Sequence, residues 1–158
     1  MLKHLVAFAI VATPAIASAN IPNSVGIGVE TQINGTGGIA VNYDAGKFDA
    51  GGFFGILDPA GPDNTEYAIG GRFFYHVHQT ANADFGVGGS IGLDSVPVDA
   101  NNRNNNVFLE PGFQIRMFVV PNVALSFAGG IVIGVADADG VSIGGQIEGL
   151  AGVTYFFN

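Results

Sequence analysis

Three observations predict an all-β chain folded as an eight-stranded antiparallel up-and-down transmembrane β-barrel. First, apolar residues recur with period two, and no segment shows the helical period. Second, turn-forming clusters of Gly, Asn, Asp and Pro divide the chain into eight such stretches, an even number joined in sequence order. Third, the charges inside the strands all fall on the face opposite the Val, Ile, Leu, Phe and Tyr face. The stretch that organises the rest is the last, Val141 to Phe157. Its odd positions are Val141, Ile143, Gly145, Ile147, Gly149, Ala151, Val153, Tyr155 and Phe157, and its even positions include Ser142, Gln146, Glu148 and Thr154. It exceeds an ordinary strand of about 5–6 residues. It is long enough to cross a bilayer with tilt, which takes roughly 9–11 residues.

The other strands follow in order. Strand one is Val25 to Ile33, with Val25, Ile27, Val29, Thr31 and Ile33 opposite Gly26, Gly28, Glu30 and Gln32. Residues 34–37 (N-G-T-G) make a tight turn. Strand two is Gly38 to Asp44, and Asp44 to Lys47 turns the chain back. In strand three, Phe48 to Leu57, the adjacent Phe53 and Phe54 blur the parity. Phe48, Ala50, Gly52, Phe54 and Ile56 form its all-apolar face and are taken as outward. Asp58 to Thr65 is a loop. Strand four, Glu66 to Val77, sets Tyr67, Ile69, Phe73, Tyr75 and Val77 against Ala68, Arg72, Phe74 and His76. Strand five is Ala83 to Asp94, and Ser95 to Asn106 is read as the longest loop because its Asn-rich tract has no drive to bury. Strand six is Val107 to Val119, where Pro111 on the apolar face suggests a bulge. Strand seven, Val123 to Val135, and the short loop Ala136 to Gly140 lead into the last strand.

Alternation alone permits a soluble barrel with the apolar face inside. Three features favour the inverted arrangement. The longer connections, Asp58–Thr65 and Ser95–Asn106, both fall on one side, together with the shorter Asn34–Gly37 and Ala136–Gly140, so no longer loop lies on the other side, as membrane barrels prefer. Tyr43, Phe48, Tyr75, Phe85, Tyr155 and Phe157 fall at the end with the short turns, where a girdle at a periplasmic bilayer interface would sit. The charged face is also rich in glycine, and an eight-stranded barrel has an interior only just wide enough for side chains. Glu30, Arg72, Glu110, Arg116 and Glu148, with Gln32, Gln114 and Gln146, then form a lumenal polar network in which the two arginines pair among the three glutamates. A structural plug is the plainer reading of that network and a conductive path the sharper one.

Composition is consistent with this. Only 11% of the 158 residues are charged, 48% are hydrophobic, 25 are Gly, and Cys and Trp are absent. No run approaches the roughly 20 apolar residues of a membrane-spanning helix. Residues 1–19 read as a secretory signal: Lys3 and His4, an apolar Leu5–Ala12, then Ala17-Ser18-Ala19 before Asn20. Residues 20–158 are one barrel domain. Without Lys3 the formal charge of -8 becomes -9, so a basic nucleic-acid footprint is absent. The lack of Cys excludes a disulfide scaffold and a zinc–cysteine site.

With signal, strand count, alternation and the ending G-V-T-Y-F-F-N, the chain resembles the small eight-stranded outer-membrane barrels of Gram-negative bacteria, the porin-like group of the outer membrane protein A transmembrane domain and the opacity-type proteins. The resemblance covers residues 20–158. It implies residence in the cell outer membrane, contact with outer-membrane lipid and lipopolysaccharide, and recognition by the barrel assembly machinery. Such chains end on an outward aromatic, usually a terminal Phe; here Phe157 is penultimate and Asn158 follows. The match is to architecture and says little about activity or oligomeric state.

Some barrels of this size resemble lipid A-editing enzymes that use His with Ser or acidic partners. Here His76 and His78 both lie at the periplasmic end of strand four, so no catalytic role is expected. As a metal site His76-x-His78 lacks a third ligand and reads as a plain turn pair. Residues 137–140 (D-A-D-G) match only a fragment of a calcium loop. With Asp58, Asp63, Asp94 and Asp99 they make acidic outer loops, either simply solvated or bridged by divalent ions to lipopolysaccharide. The expectation is a structural, surface-interaction or narrow-pore protein that is not an enzyme and needs no cofactor or metal. The rivals are a soluble exported barrel holding a small apolar ligand and a lipid-modifying enzyme.

Overall fold

The computed structural model describes residues 22–31, 38–61, 64–99, 102–136, 140–144 and 151–157. The regular structure among them is entirely β: β1 (Ser24–Thr31), β2 (Gly38–Asp44), β3 (Phe48–Leu57), β4 (Glu66–Gln79), β5 (Ala83–Asp99), β6 (Asn102–Val120), β7 (Val123–Ala136), β8 (Gly140–Gly144) and β9 (Ala151–Phe157). The expected signal segment, the turn at 34–37, the acidic residues 137–139, and Asp63, Gln32, Gln146 and Glu148 lie outside the described residues.

Each strand from β1 to β7 pairs antiparallel with the next. β8 and β9 both pair with β7, toward its two ends, and β9 returns to β1. They share one place in the ring, so the result is a closed eight-stranded antiparallel barrel in up-and-down order. The register fixes its shape. Pairs run from Ile27 through Val41, Gly52, Gly71, Ile91 and Leu109 to Ile133 on β7. In the other direction Ile27 leads through Tyr155 to Val123 on the same strand, and 133 minus 123 is a stagger of ten residues. Ten rises of about 3.3 Å against eight strand spacings of about 4.8 Å give a strand tilt of roughly 40° and a backbone radius of about 8 Å. Such a cylinder has room inside for packed side chains.

The two faces have opposite polarity. Val25, Ile27, Val29, Ile39, Val41, Ile69, Phe73, Val87, Ile91, Phe113, Ile115, Ile131 and Val153 are among the exposed side chains. The described apolar side chains that are buried are few and mostly small: Ala40, Ala68, Phe74, Phe118, Ala124, Ala128, Val132 and Phe156. The other buried side chains are polar or charged. Phe118, Ala124 and Phe156 make a small apolar floor at one end, with the two rings 6.2 Å apart. That end carries the turns 45–47, 80–82 and 121–122 and is called the turn end below.

Three local expectations are corrected. The expected loop 95–106 is mostly strand. Asp94↔Asn106, Ser95↔Asn105, Val96↔Asn104 and Pro97↔Arg103 are paired, and one irregularity follows before Asp99↔Asn102. A hairpin ladder satisfies its own backbone groups and needs no burial; here polar side chains brace it. Asn106 Nδ2 donates to Asp94 Oδ1 at 2.7 Å, and Ser95 Oγ to Asn105 Oδ1 at 2.8 Å. Pro111 makes no bulge: Gly89↔Pro111 keeps the β5–β6 register. The β6–β7 ladder instead skips 110 and 111 between Leu109↔Ile133 and Gly112↔Gly130, where a proline has no N–H to give. Strand four runs on to Gln79, and its bulge falls at Val77, between His76↔Gly86 and His78↔Phe85.

Candidate functional site: a buried charge network

Parity places Glu30, Asp44, Asp49, Arg72, Asp84, Glu110, Gln114 and Arg116 inside, and all are buried. They make two clusters at different heights. In the first, Arg72 reaches from β4 to β1. Its Nη1 donates to Glu30 Oε2 at 2.6 Å, and its Nη2 bonds both Glu30 Oε1 and Asn42 Oδ1. Asn42 Nδ2 donates onward to Thr154 Oγ1 at 3.1 Å, tying β2 to β9. The Arg72–Glu30 contact is a bidentate, charge-assisted pair, the strongest polar arrangement available to these groups. Glycine makes the room for it. A Cβ on Gly51 would collide with Asn42 Oδ1, and one on Gly152 would come within 2.8 Å of Glu30 Cγ.

The second cluster sits at the turn end around Arg116. Its Nη2 donates to Asp84 Oδ2 at 2.6 Å and stands 2.8 Å from Asp44 Oδ2, and its Nε is 3.9 Å from Asp49 Oδ2. The Asp44 contact is an ion pair whose angle makes no hydrogen bond. The guanidinium also lies 5.4 Å above the Phe118 ring, so its flat face rests on the apolar floor while its edge meets carboxylates. Asp44 Oδ1 accepts the Gly46 N–H at 2.7 Å, which pins the β2–β3 turn. Gly46 there has a φ of 86°, a conformation open to glycine at little cost. His76 Nε2 is 2.8 Å from Asp49 Oδ2, and its Nδ1 is 2.9 Å from the Gly46 carbonyl oxygen.

The predicted network therefore changes in its pairings. Arg72 takes a glutamate as expected, but Arg116 takes aspartates, because it lies near the 121–122 turn, paired directly with Asp84 and across from Asp44 and Asp49 beside their own turn. Glu110 and Gln114 are buried among these groups. Gln114 Nε2, Asp84 Oδ1 and Arg116 Nε have no hydrogen-bond partner among the described residues. His76 and His78 are no turn pair. Alternation with Arg72 and Phe74 carries His76 into the barrel, and the bulge at Val77 leaves His78 exposed. Among the described residues no three His, Asp or Glu side chains are grouped to hold a metal ion.

Reading by residue type missed Asn42, Thr154 and His76 as members, and left Asp44, Asp49 and Asp84 at strand ends. A signal for the acids was present: Asp44 and Asp49 are equidistant from the 45–48 turn and pair directly. Asn42 and Thr154 carry no such mark, since neutral side chains on a small-residue face do not stand out.

Of the six rings predicted at the turn end, Tyr43, Tyr75, Phe85, Tyr155 and Phe157 are exposed and Phe48 is half-buried. Tyr155 and Phe157 meet edge to face at 5.0 Å, and Tyr43 Oη donates to Asn23 Oδ1 at 3.1 Å. Phe54, Tyr67, Phe73, Phe113 and Phe127 are also exposed, farther from the turns, so exposed rings are not confined to that rim. No protein-family model matches the chain, and no curated protein matches it either.

Proposed function

We propose that the chain is an integral outer-membrane barrel with a structural or surface-interaction role, its lumen filled by a fixed polar network. The observation that carries this is the reversed polarity: long apolar side chains cover the outside while ions pair within. Soluble monomers rarely expose contiguous apolar patches beyond a few hundred Å², and a membrane barrel requires such a surface. A soluble barrel holding an apolar ligand would need these side chains turned inward. The small interior volume and the direct Arg–carboxylate contacts favour a plug over a conducting path. The exposed rings at the turn end then belong to the periplasmic interface, and the β5–β6 hairpin extends on the outer side.

The test is fractionation of cells expressing the chain, followed by electrophoresis with and without boiling. The proposal expects the protein in the outer-membrane fraction, released by detergent, with the unboiled form migrating differently from the boiled one. Recovery as a soluble periplasmic protein without detergent would overturn it.

A further inference from the structure

The two ring nitrogens of His76 both face oxygen acceptors. Nε2 lies 2.8 Å from Asp49 Oδ2, and Nδ1 lies 2.9 Å from the carbonyl oxygen of Gly46. A neutral imidazole has one N–H and one lone pair. It would therefore set a lone pair against oxygen at one of these contacts. Among the described residues Gln79 Nε2 is the donor near the ring. One of its two N–H groups goes to the Gly46 oxygen at 2.8 Å and the other is within 3.2 Å of Nδ1, but a bare Nδ1 would still face that oxygen at 2.9 Å. The contacts are satisfied only when the His76–Asp49 pair carries one proton more than a neutral imidazole plus a carboxylate.

We propose that the His76–Asp49 pair keeps this proton in the folded barrel and is a pH-sensitive latch on the turn end of the lumen, closed while the proton is held and loosened when alkali removes it.

The surroundings support a latch. Charged groups from neighbouring strands face His76 in the lumen: Asp49 on β3, Asp84 on β5 and Arg116 on β6, with Asp44 on β2 bound to the same Arg116; Arg72 on its own strand belongs to the other cluster, and His78 and Lys47 are exposed. With the proton held, Arg116 and the imidazolium face three aspartates; without it, Arg116 faces them alone. Loss of the proton therefore leaves the ring one donor for its two oxygen contacts and makes the buried site more negative by one charge. A proton lost from Nδ1 also breaks the side-chain link from β4 to the Gly46 oxygen of the β2–β3 turn, while the backbone link from His76 N–H to Lys47 O at 2.9 Å remains. The sign follows by linkage. A proton bound in the folded state and not in the unfolded chain stabilises the fold at lower pH, and that contribution is lost as pH rises through the folded-state titration. This inference concerns the barrel interior and stands whether or not lipid surrounds the barrel.

The experiment uses the full chain refolded in detergent micelles. Nitrogen NMR of 15N-histidine-labelled protein follows the His76 ring during a titration upward from pH 6, with exposed His78 as the internal reference. Urea unfolding is measured over the same range for the wild type, His76→Gln and His78→Gln. The expected result is both His76 nitrogens still protonated above pH about 6.5, where an ordinary imidazole loses its proton. The wild-type folding constant should fall by up to about tenfold per pH unit as the proton leaves, a slope absent from His76→Gln and kept in His78→Gln. If His76→Gln does not fold, the ring nitrogens alone decide. A His76 ring that titrates together with His78, or a His76→Gln protein with the wild-type slope, would overturn the proposal.

Discussion

Arg72 shows how a charge is held inside this barrel. Moving a guanidinium out of water costs several kcal/mol, and only close, well-aligned partners repay it. Glu30 accepts from both terminal nitrogens and Asn42 from one, so desolvation is answered locally. Removing one partner leaves a buried charge, whereas removing both leaves none. Arg72→Met should therefore cost about 3–5 kcal/mol in urea unfolding, and adding Glu30→Met should restore most of that loss. A double variant no more stable than the single one would show that the pair is not what balances Arg72. At this scale the sequence was half legible. Inward parity and opposite charge singled out Arg72 and Glu30, but Arg116's partners come from three other strands, β2, β3 and β5, and which strands meet across the lumen no single strand reveals.

At the scale of the element, the β5–β6 hairpin holds the main surprise. Its Asn-rich tract contains no apolar pattern, yet it forms ladder pairs out to Asp99 and Asn102. Strand reading relies on burial, and this segment is built on side-chain bracing instead. Arg103 donates to Ser95 Oγ, to Ser95 O and to Thr65 O, and sits 5.3 Å above the Tyr67 ring. It straps the hairpin to the strand that follows the 58–65 loop. Arg103→Ala should raise amide hydrogen exchange across residues 95–99 and 102–105, because local opening no longer breaks those bonds. The global unfolding free energy should move by no more than about 0.5 kcal/mol, as for other surface changes. Unchanged exchange in the hairpin would mean that Arg103 does not brace it. Strands one to seven were legible to within about five residues, since their alternation spans a wall with two unlike faces; the last, expected as one strand from Val141 to Phe157, is described as two, β8 and β9, with residues 145–150 outside the described residues. The exceptions have local causes: a proline set against β7, and one extra residue at Val77.

At the scale of the whole molecule, the governing property is polarity reversed across a single-layer wall. Pattern could define two faces but could not say which one was inside. Burial decides it: a ten-residue stagger over eight strands makes a narrow cylinder, and the charged side chains are the buried ones while the long apolar ones are exposed. That an apolar exterior means residence in lipid is the central claim of the proposed function. It is tested most directly by arginine placed on the outer face. Val87 and Ile131 lie on the outer wall between the turn-end rim and the far ends of their strands, and Val98 lies on the projecting hairpin; all three are exposed. In equilibrium unfolding from phospholipid vesicles, Val87→Arg and Ile131→Arg should each cost about 2–4 kcal/mol, and Val98→Arg about 0–1 kcal/mol. Equal, near-zero costs at all three positions, from a protein that stays folded without lipid or detergent, would contradict the account.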